Sequence, residues 1–289
     1  MRTNNITKPS RAKKTLVTFA LYAFLLIMTA LTVMPLIYSF FASFKPLDEL
    51  MGDGARILPH TWRWANYSEV WMLSNFSVYF KNSMFIAIGT VIIVVINSSM
   101  FGYVLARKRL KLSGFIEGLF AATIFAGLGS AVLYPLMKIA INLHILNLYG
   151  VILVQAAGGL LVNTFLVKSF FQTINREIDD AALMDGCGFF QVYRHIAFPM
   201  MRPIIATVAL FTFQGSWNDF LLPLVFTLSN PDMRTIIIGV YSLKDTAEGA
   251  TSWHYMMAGS VIALTPILLL FLVLQKYFLS SMSSGALKG

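Results

Sequence analysis

The stretch that decides how this sequence folds runs from Asp179 to Pro199 and reads DDAALMDGCGFFQVYRHIAFP. It carries five ionisable side chains, which are Asp179, Asp180, Asp185, Arg194 and His195. Apolar segments long enough to cross a bilayer lie on both sides of it. Because ionisable groups are costly inside the hydrocarbon, this stretch is predicted to form a loop outside the membrane.

The composition of the whole chain is that of a membrane protein. Of its 289 residues, 57% are hydrophobic and 12% are charged, whereas soluble domains contain about 25% charged residues. The net charge of +9 therefore indicates membrane topology rather than a nucleic-acid partner. The single cysteine, Cys187, excludes an intramolecular disulfide, and the four histidines form no metal-binding motif. No catalytic residue, metal site or cofactor is predicted.

Six apolar segments are predicted to be membrane-spanning helices, which makes the chain an all-α polytopic protein. The first, 16–44, follows a basic N-terminal tail, 1–15. It is too long to be the apolar part of a cleaved signal peptide, which has about 7–15 residues. A semi-polar segment, 45–79, comes next, and a tail, 280–289, follows the last span. The other five spans are placed at about 80–106, 114–138, 148–172, 201–228 and 256–279.

The distribution of Lys and Arg predicts the orientation of these spans. Most of the 22 basic residues lie in the two tails, in the loop after the second span and around the opening stretch. Positively charged loops are retained in the cytoplasm. Both termini and the loop 175–199 are therefore expected on the cytoplasmic side.

Local patterns in this loop predict two short helices on either side of a glycine turn. Asn175 can cap the first helix, whose first turn carries carboxylates that suit the positive end of the helix dipole. Gly186 and Gly188 supply the turn, and Pro199 is expected to end the second helix. That helix is indicated by apolar residues at helical spacing, namely Phe189, Val192, Tyr193 and Ile196.

Residue chemistry alone leaves three interpretations of this loop open. It could be an amphipathic hairpin that lies in the headgroup region. It could be a catalytic loop that uses Asp179, Asp180 and Asp185, although no nucleophile or paired base accompanies them. It could also be a docking element whose helix enters a groove on a cytoplasmic partner.

The spacing inside the loop resembles the EAA signature of prokaryotic ATP-binding-cassette importer permeases, E-A-A-x3-G-x9-I-x-L-P. The matching positions are Asp180, Ala181, Ala182, Gly186, Ile196 and Pro199. Asp180 replaces the family glutamate and keeps its charge, but its side chain is shorter by one methylene. Phe198 replaces the family leucine.

Further segments are similar to the permeases of carbohydrate importers, most closely to the second permease subunit of the maltose type. They are Ser43–Pro46, Asn82-Ser83, Tyr103–Arg107, Trp217–Phe220 and Gln275–Phe278. The resemblance implies the type I importer permease fold for a core at 80–279. It also implies residence in a bacterial or archaeal plasma membrane.

The resemblance makes the loop 175–199 the element that couples the permease to a cytoplasmic ATPase. The residues implied in coupling are Asp180, Ala181, Ala182, Asp185, Gly186, Ile196 and Pro199. Expected partners are a second homologous permease, as a heterodimer, two ATP-binding subunits, an extracytoplasmic solute-binding protein and membrane lipid. The sequence has no Walker A pattern, so ATP hydrolysis is assigned to a separate subunit and this chain is not an enzyme.

A polar stripe in the fifth span is the candidate translocation path for sugar. Gln214 and Asn218 lie at helical spacing with Phe211, and amides beside an aromatic ring suit sugar hydroxyls. Asn163 and Thr164 in the fourth span are further candidates. The alternative is that these groups hydrogen-bond neighbouring helices, which contributes about 1 kcal/mol or less per contact.

Two other functional classes remain open on chemistry alone. An ion- or proton-coupled secondary transporter would need ionisable groups inside its spans, where this sequence offers only Lys138, Lys168 and Asp219. An intramembrane enzyme would need a catalytic pair within the bilayer, and the sequence contains no recognisable one.

Overall fold

A computed structural model describes the protein over residues 11–52, 56–73, 75–107, 113–126, 129–245 and 252–286. Within these ranges the chain forms helices and no β-strand, which confirms the all-α prediction. The helices are α1 (Arg11–Ala42), α2 (Leu47–Gly52), α3 (Ala65–Leu73), α4 (Phe76–Arg107), α5 (Ser113–Ala126), α6 (Leu133–Asn142), α7 (Leu148–Gln172), α8 (Glu177–Met184), α9 (Phe189–Val192), α10 (Phe198–Met200), α11 (Arg202–Asn218), α12 (Leu221–Phe226), α13 (Ile236–Ser242) and α14 (Trp253–Ala286).

The long helices identify the protein as a multi-pass membrane protein. In the described ranges, α1, α4, α7 and α14 are each long and apolar enough to span a bilayer. A fifth span results if the bent pair Phe189–Met200 and Arg202–Asn218, which meet at 75°, is counted as one. α1 begins at Arg11 and α14 continues to Ala286, so both predicted tails are partly helical. Residues 1–10 and 287–289 lie outside the described part.

The third and fifth predicted spans differ from the single helices that were expected. The segment 114–138 is divided between α5 and α6, and a 3-10 turn, Gly129–Val132, precedes α6. Gly129 has a φ of +52°, a left-handed conformation that interrupts a helix. The segment 201–228 is divided at Asp219, whose backbone is extended. The Asp219 carboxylate accepts a hydrogen bond from the Leu222 N–H at 3.4 Å, which favours a new helix start there.

α4 is the central helix of the bundle. It packs most extensively against α7 and next against α11, and α14 also packs against α11. α1 contacts α14 near its C-terminal end, and most of its other side chains are exposed. The buried face of α4 includes Ser98 and Ser99, small residues that allow neighbouring helices to approach closely. This packing places the C-terminal end of α4 against the loop 175–199.

The segment after α1 folds back on the end of that helix. The Lys45 side chain is fully buried and donates a hydrogen bond to the Arg56 carbonyl. The buried Asn66 amide donates to the carbonyls of Ser43 and Lys45, at 2.8 and 2.9 Å. Trp62, Trp64 and Tyr67 surround the Phe44 ring, with centroid distances of 5.2, 4.7 and 5.2 Å. These aromatic contacts therefore hold the segment against the end of α1.

Candidate functional site

The first half of the loop 175–199 is the short helix α8, and its start agrees with the predicted cap. The Asn175 carboxamide oxygen accepts a hydrogen bond from the Glu177 N–H at 3.2 Å. The first turn also carries the carboxylates of Glu177, Asp179 and Asp180, which favour the positive end of the helix dipole. Sequence pattern alone was therefore sufficient to locate this helix.

A glycine turn ends α8 in the geometry known as the Schellman motif. The Cys187 N–H donates to the Ala182 carbonyl at 3.0 Å, and the Gly186 N–H donates to the Leu183 carbonyl at 3.1 Å. Gly186 has a φ of +86°, which a residue with a side chain rarely adopts. Gly188 has an ordinary φ of −72° and is the N-cap residue of α9. Of the two glycines, only Gly186 is therefore required by the backbone.

The second half of the loop is helical but not a regular α-helix. A π-helical turn, Tyr193–Ala197, connects α9 to α10. The helical turns continue through Pro199, and the sharp bend comes at Met201, so the expected stop at Pro199 lies two residues too early. Tyr193 donates or accepts a hydrogen bond with Ser99 at 2.8 Å, which joins this half of the loop to α4.

The residues implied in coupling divide between the surface and the interior of the loop. Asp180, Ala181, Asp185 and Gly186 are exposed, Ala182 is buried, Ile196 is half-buried and Pro199 is exposed. Large apolar side chains are also exposed near the turn, most of all Met184, with 89% of its surface accessible, and Phe190, with 60%. An exposed apolar surface of this kind is characteristic of a protein contact.

A buried ion pair, which the sequence analysis did not identify, anchors α8 to the end of α4. The Arg107 Nε lies 2.6 Å from the Asp179 Oδ2, and the two side chains are only 7% and 12% exposed. The Tyr103 hydroxyl donates to the other carboxylate oxygen of Asp179 at 2.9 Å. The Arg107 guanidinium also donates to the Ile174 carbonyl at 3.1 Å and lies 5.4 Å from the centre of the Phe171 ring. We call Tyr103, Arg107 and Asp179 the inner joint.

The inner joint unites two segments that lie far apart in the sequence. Tyr103 and Arg107 end the Tyr103–Arg107 segment of α4, and Asp179 immediately precedes Asp180 in the EAA-like motif. A second contact supports the same junction, because the Arg176 guanidinium donates to the Ala106 carbonyl at 3.1 Å. The loop is therefore connected to the spanning helices by charged groups as well as by the chain.

The four candidate path residues do not gather at one place. Gln214 and Asn218 are exposed on α11, on the same face as the exposed Phe211. Asn163 is buried and donates to the Gly159 carbonyl at 2.7 Å and to the Thr212 hydroxyl at 3.4 Å. Thr164 is fully buried in α7. The predicted stripe on α11 is thus an exposed polar face, whereas the α7 residues point into the bundle.

A second polar cluster, also missed by the sequence analysis, lies where α4, α7 and α11 meet. The Gln155 carboxamide oxygen accepts hydrogen bonds from Ser216 at 2.6 Å and from Thr90 at 3.3 Å. The Gln155 amide nitrogen donates to the Asp219 Oδ2 at 3.0 Å. We call Thr90, Gln155, Ser216 and Asp219 the outer polar cluster. The one feature of the sequence that could have indicated this cluster was the acidic residue Asp219, in the Trp217–Phe220 segment.

Hydrogen bonds also fix the opposite end of α4. The Asn82 amide donates to the carbonyls of Asp232 and Arg234, at 2.7 and 3.0 Å. The Ser83 hydroxyl oxygen accepts a hydrogen bond from the Ile236 N–H at 2.8 Å. The Asn82-Ser83 pair therefore connects α4 to the segment that leads into α13.

An acidic residue of α3 joins that helix to α14. The Tyr255 hydroxyl donates to the Glu69 carboxylate at 2.7 Å, and Arg63 forms an ion pair with Glu69 at 3.1 Å. The hydrogen bond from Tyr255 and the nearby Arg63 lower the pKa of the Glu69 carboxyl, against a smaller opposing effect of burial. In the described ranges, no three His, Cys, Asp or Glu side chains lie close enough to hold a metal ion.

Comparison with known proteins gives consistent matches over most of the chain. Residues 7–284 match the family model described as "Binding-protein-dependent transport system inner membrane component". The chain is 32% identical over 274 residues to the probable ABC transporter permease protein YurM of Bacillus subtilis, covering 93% of this chain and 88% of the relative.

Two relatives with named substrates also match. The diacetylchitobiose uptake system permease protein NgcG of Streptomyces coelicolor is 29% identical, over 92% of this chain and 88% of the relative. The arabinooligosaccharides transport system permease protein AraQ of Bacillus subtilis is 31% identical, over 93% and 95%. In fold, the chain resembles a chain of a bacterial ABC transporter involved in the import of alginate, with a TM-score of 0.80 and 20% identity, over 94% of this chain and 99% of that one.

Proposed function

The chain belongs to the family of binding-protein-dependent transport system inner membrane components, and we propose that it is one permease subunit of an ATP-driven carbohydrate importer. Members of this family act with an ATP-binding subunit and a solute-binding protein. Similarity to the permeases for diacetylchitobiose and arabinooligosaccharides supports a carbohydrate as the substrate. No comparison supports the alternative of an ion- or proton-coupled secondary transporter.

The proposed assembly has two permeases and two ATP-binding subunits. This chain pairs with a second, homologous permease as a heterodimer, and both of its termini lie in the cytoplasm. The positive charges around the loop 175–199 support that orientation. A solute-binding protein delivers sugar to the opposite side, where the segment that includes α3 lies.

The observation that carries the proposal is that the loop 175–199 exposes its turn while its first helix is attached to α4. Its turn exposes apolar side chains, including Met184, while the inner joint holds α8 against α4. We propose that the exposed residues Asp180, Ala181, Asp185 and Gly186 contact the ATP-binding subunit, and that Ala182, Ile196 and Pro199 shape the contact surface. Movement of that subunit would then reach α4 through Arg107 and Asp179.

The exposed face of α11 supports a role in the translocation path. Amide side chains cannot face hydrocarbon without losing hydrogen bonds, so Gln214 and Asn218 need a protein partner or water beside them. A path shared with the second permease would supply both water and a protein partner to this face of α11. Asn163 is proposed to line the path where α7 faces α11, and Thr164, which is fully buried in α7, is proposed to support it from behind.

A substitution at Gly186 tests the coupling assignment. Replacing Gly186 with Val strains a left-handed backbone by about 1–2 kcal/mol and adds bulk at the proposed contact surface. We expect the Gly186→Val transporter, reconstituted with its ATP-binding subunits and binding protein, to lose most of its ATP-dependent sugar uptake. Uptake and stimulated ATP hydrolysis are both measured in proteoliposomes.

Gly188→Ala is the matched control in the same loop. Gly188 has an ordinary φ, and an added Cβ would meet only the Gln191 side chain at 3.6 Å. This variant should therefore transport at close to the wild-type rate. Normal uptake and normal ATPase stimulation by Gly186→Val would show that the loop is not the coupling element.

A further inference from the structure

A groove between α7 and α11 has a mainly apolar surface that is interrupted by a few hydroxyl and amide groups. Its volume is about 310 Å³, at the lower end of the range of about 300–1,000 Å³ that is usual for small-ligand pockets. Among the residues that line it are Gln155, Gly158, Asn163, Phe211, Gly215 and Ser216. Hydroxyl and amide groups thus meet one exposed aromatic ring at this position.

The polar groups of the groove are held in fixed orientations. Gln155 accepts hydrogen bonds from Thr90 and Ser216 and donates one to Asp219, so its carboxamide cannot rotate without breaking them. Asn163 is similarly fixed by its donation to the Gly159 carbonyl. Hydroxyl and carboxamide oxygens have two acceptor positions each. The Gln155 oxygen uses both for Thr90 and Ser216, whereas the Ser216 hydroxyl and the Asn163 carboxamide oxygen can still accept a hydrogen bond from a further group.

Two glycines leave the groove open although the packing of this chain does not need them. A Cβ atom added at Gly158 or at Gly215 would meet no other atom within 4 Å. Glycine inside a helix costs about 1 kcal/mol relative to alanine. Because helix packing within the chain gains nothing in return at these positions, the free space is available to something outside the chain.

We propose that this groove binds one sugar ring of the transported carbohydrate, an inference that rests on the proposed function. Sugar hydroxyls donate hydrogen bonds to the Ser216 hydroxyl and to the Asn163 carboxamide oxygen, Gln155 holds Ser216 in place, and the apolar face of the ring packs on Phe211. The volume suits one ring rather than a whole oligosaccharide. An acyl chain or an apolar helix of the second permease fits less well, since either would cover the Asn163 carboxamide oxygen and the Ser216 hydroxyl without donating a hydrogen bond to them. This subunit then contacts the substrate directly and does not only support a partner's site.

Thiol labelling in the assembled transporter tests the proposal. Cys187 is the only cysteine of the chain, so a Cys187→Ser background allows single thiols to be introduced as Gly158→Cys or Gly215→Cys. Cysteines of the other subunits are likewise replaced. A small water-soluble methanethiosulfonate reagent is applied with and without sugar. The probe is whichever of diacetylchitobiose, an arabinooligosaccharide and maltose the wild-type transporter accumulates.

We expect both thiols to be labelled in the resting transporter, and the probe sugar to slow labelling at least fivefold while the transporter turns over. Gly118→Cys on α5 is the control, because its Cβ would also meet nothing within 4 Å but it does not line the groove. Its labelling should not depend on sugar.

The possible outcomes separate this inference from the proposed function. Thiols that are labelled equally with and without sugar would overturn the groove assignment, as would thiols that never react because a partner helix or lipid fills the groove. In both cases the wild-type transporter would still accumulate sugar, and the proposed function would stand. A wild-type transporter that accumulates none of the three sugars with ATP would contradict the carbohydrate proposal and this inference together.

Discussion

The inner joint and the outer polar cluster each contain an aspartate, but they hold it in different ways. Asp179 faces the Arg107 guanidinium at 2.6 Å and accepts a hydrogen bond from Tyr103. Asp219 accepts hydrogen bonds from the neutral Gln155 amide and from a backbone N–H. The first aspartate thus belongs to a charged pair that fixes two elements together, and the second belongs to a network of neutral donors.

This difference indicates what each region can do. Breaking a buried ion pair leaves an uncompensated charge, which costs about 3–5 kcal/mol. The Arg107–Asp179 pair is therefore expected to keep α8 attached to α4 when either helix moves. Losing a hydrogen bond between neutral groups, such as that from Thr90 or Ser216 to Gln155, costs only about 0.5–1.5 kcal/mol. The outer polar cluster can therefore exchange partners with a passing hydroxyl group, which suits a path better than a joint.

Replacing aspartate with asparagine at Asp179 and at Asp219 gives the most direct test of this difference, and the larger effect is expected at Asp179. Asp179→Asn removes the counter-charge of Arg107 and should weaken the attachment of α8 to α4 by about 3–5 kcal/mol. Hydrogen exchange of the α8 amides, measured in the transporter reconstituted in nanodiscs, should accelerate by about two to three and a half orders of magnitude, because about 1.4 kcal/mol corresponds to tenfold.

The double variant Arg107→Gln with Asp179→Asn is the control for that prediction. It removes both charges, so its α8 amides should exchange more slowly than those of Asp179→Asn alone. Equal exchange in the single and double variants would mean that the ion pair contributes nothing, and the contrast with Asp219 would disappear.

Asp219→Asn should have a much smaller effect on stability. Asparagine keeps an oxygen that can accept from Gln155 or from the Leu222 N–H. We expect a change of about 1 kcal/mol or less, measured as a less than tenfold change in the exchange of the α11 and α12 amides. An effect as large as that of Asp179→Asn would show that Asp219 has a charged partner in the assembled transporter.

The smallest effect is expected at the half-exposed Glu69, which serves as a reference for the effects at Asp179 and Asp219. Its lowered pKa means that its interactions stabilise the fold above the ordinary carboxyl value of 4.5 and are lost as the pH falls through the lower, folded-state value. Glu69→Gln should lower the thermal midpoint slightly at pH 7, by an amount that corresponds to about 0.2–1 kcal/mol. Between pH 7 and pH 3, the thermal midpoint of Glu69→Gln should fall by less than that of the wild-type protein.

High salt provides the control for the Glu69 substitution. The Arg63–Glu69 ion pair is exposed and should be screened by salt, whereas the inner joint should not be. The difference between wild-type protein and Glu69→Gln should therefore shrink at 1 M salt. A difference that is unaffected by salt would mean that the Tyr255 hydrogen bond alone carries the effect.

Much of the loop 175–199 could be predicted from the sequence because its determinants are local. The Asn175 cap, the glycine turn at Gly186 and the apolar spacing of the second helix each depend on residues within a few positions. Its irregular end was less predictable. The π-helical turn and the bend at Met201 depend on how Tyr193 and Ala197 pack against α4 and α7.

The spanning helices show the same limit. Apolar length predicted α1, α4, α7 and α14, since a continuous apolar run can only be satisfied by a helix in lipid. It failed to predict the interruptions at Gly129 and Asp219, which a hydropathy pattern does not register. Gln214 and Asn218 were recognisable from helical spacing, whereas Gln155 was not, because a single amide in an apolar run gives no pattern.

The sequence by itself determined the all-α membrane class, the family motif and the local geometry of the loop, since these follow from composition and from contacts between near neighbours. Only the tertiary structure decided which distant side chains meet. Tyr103 and Asp179 are 76 positions apart, and Gln155 and Asp219 are 64 apart. Their pairing depends on the rotation and register of α4, α7 and α11, which are set by the packing of whole helix surfaces and not by any local pattern.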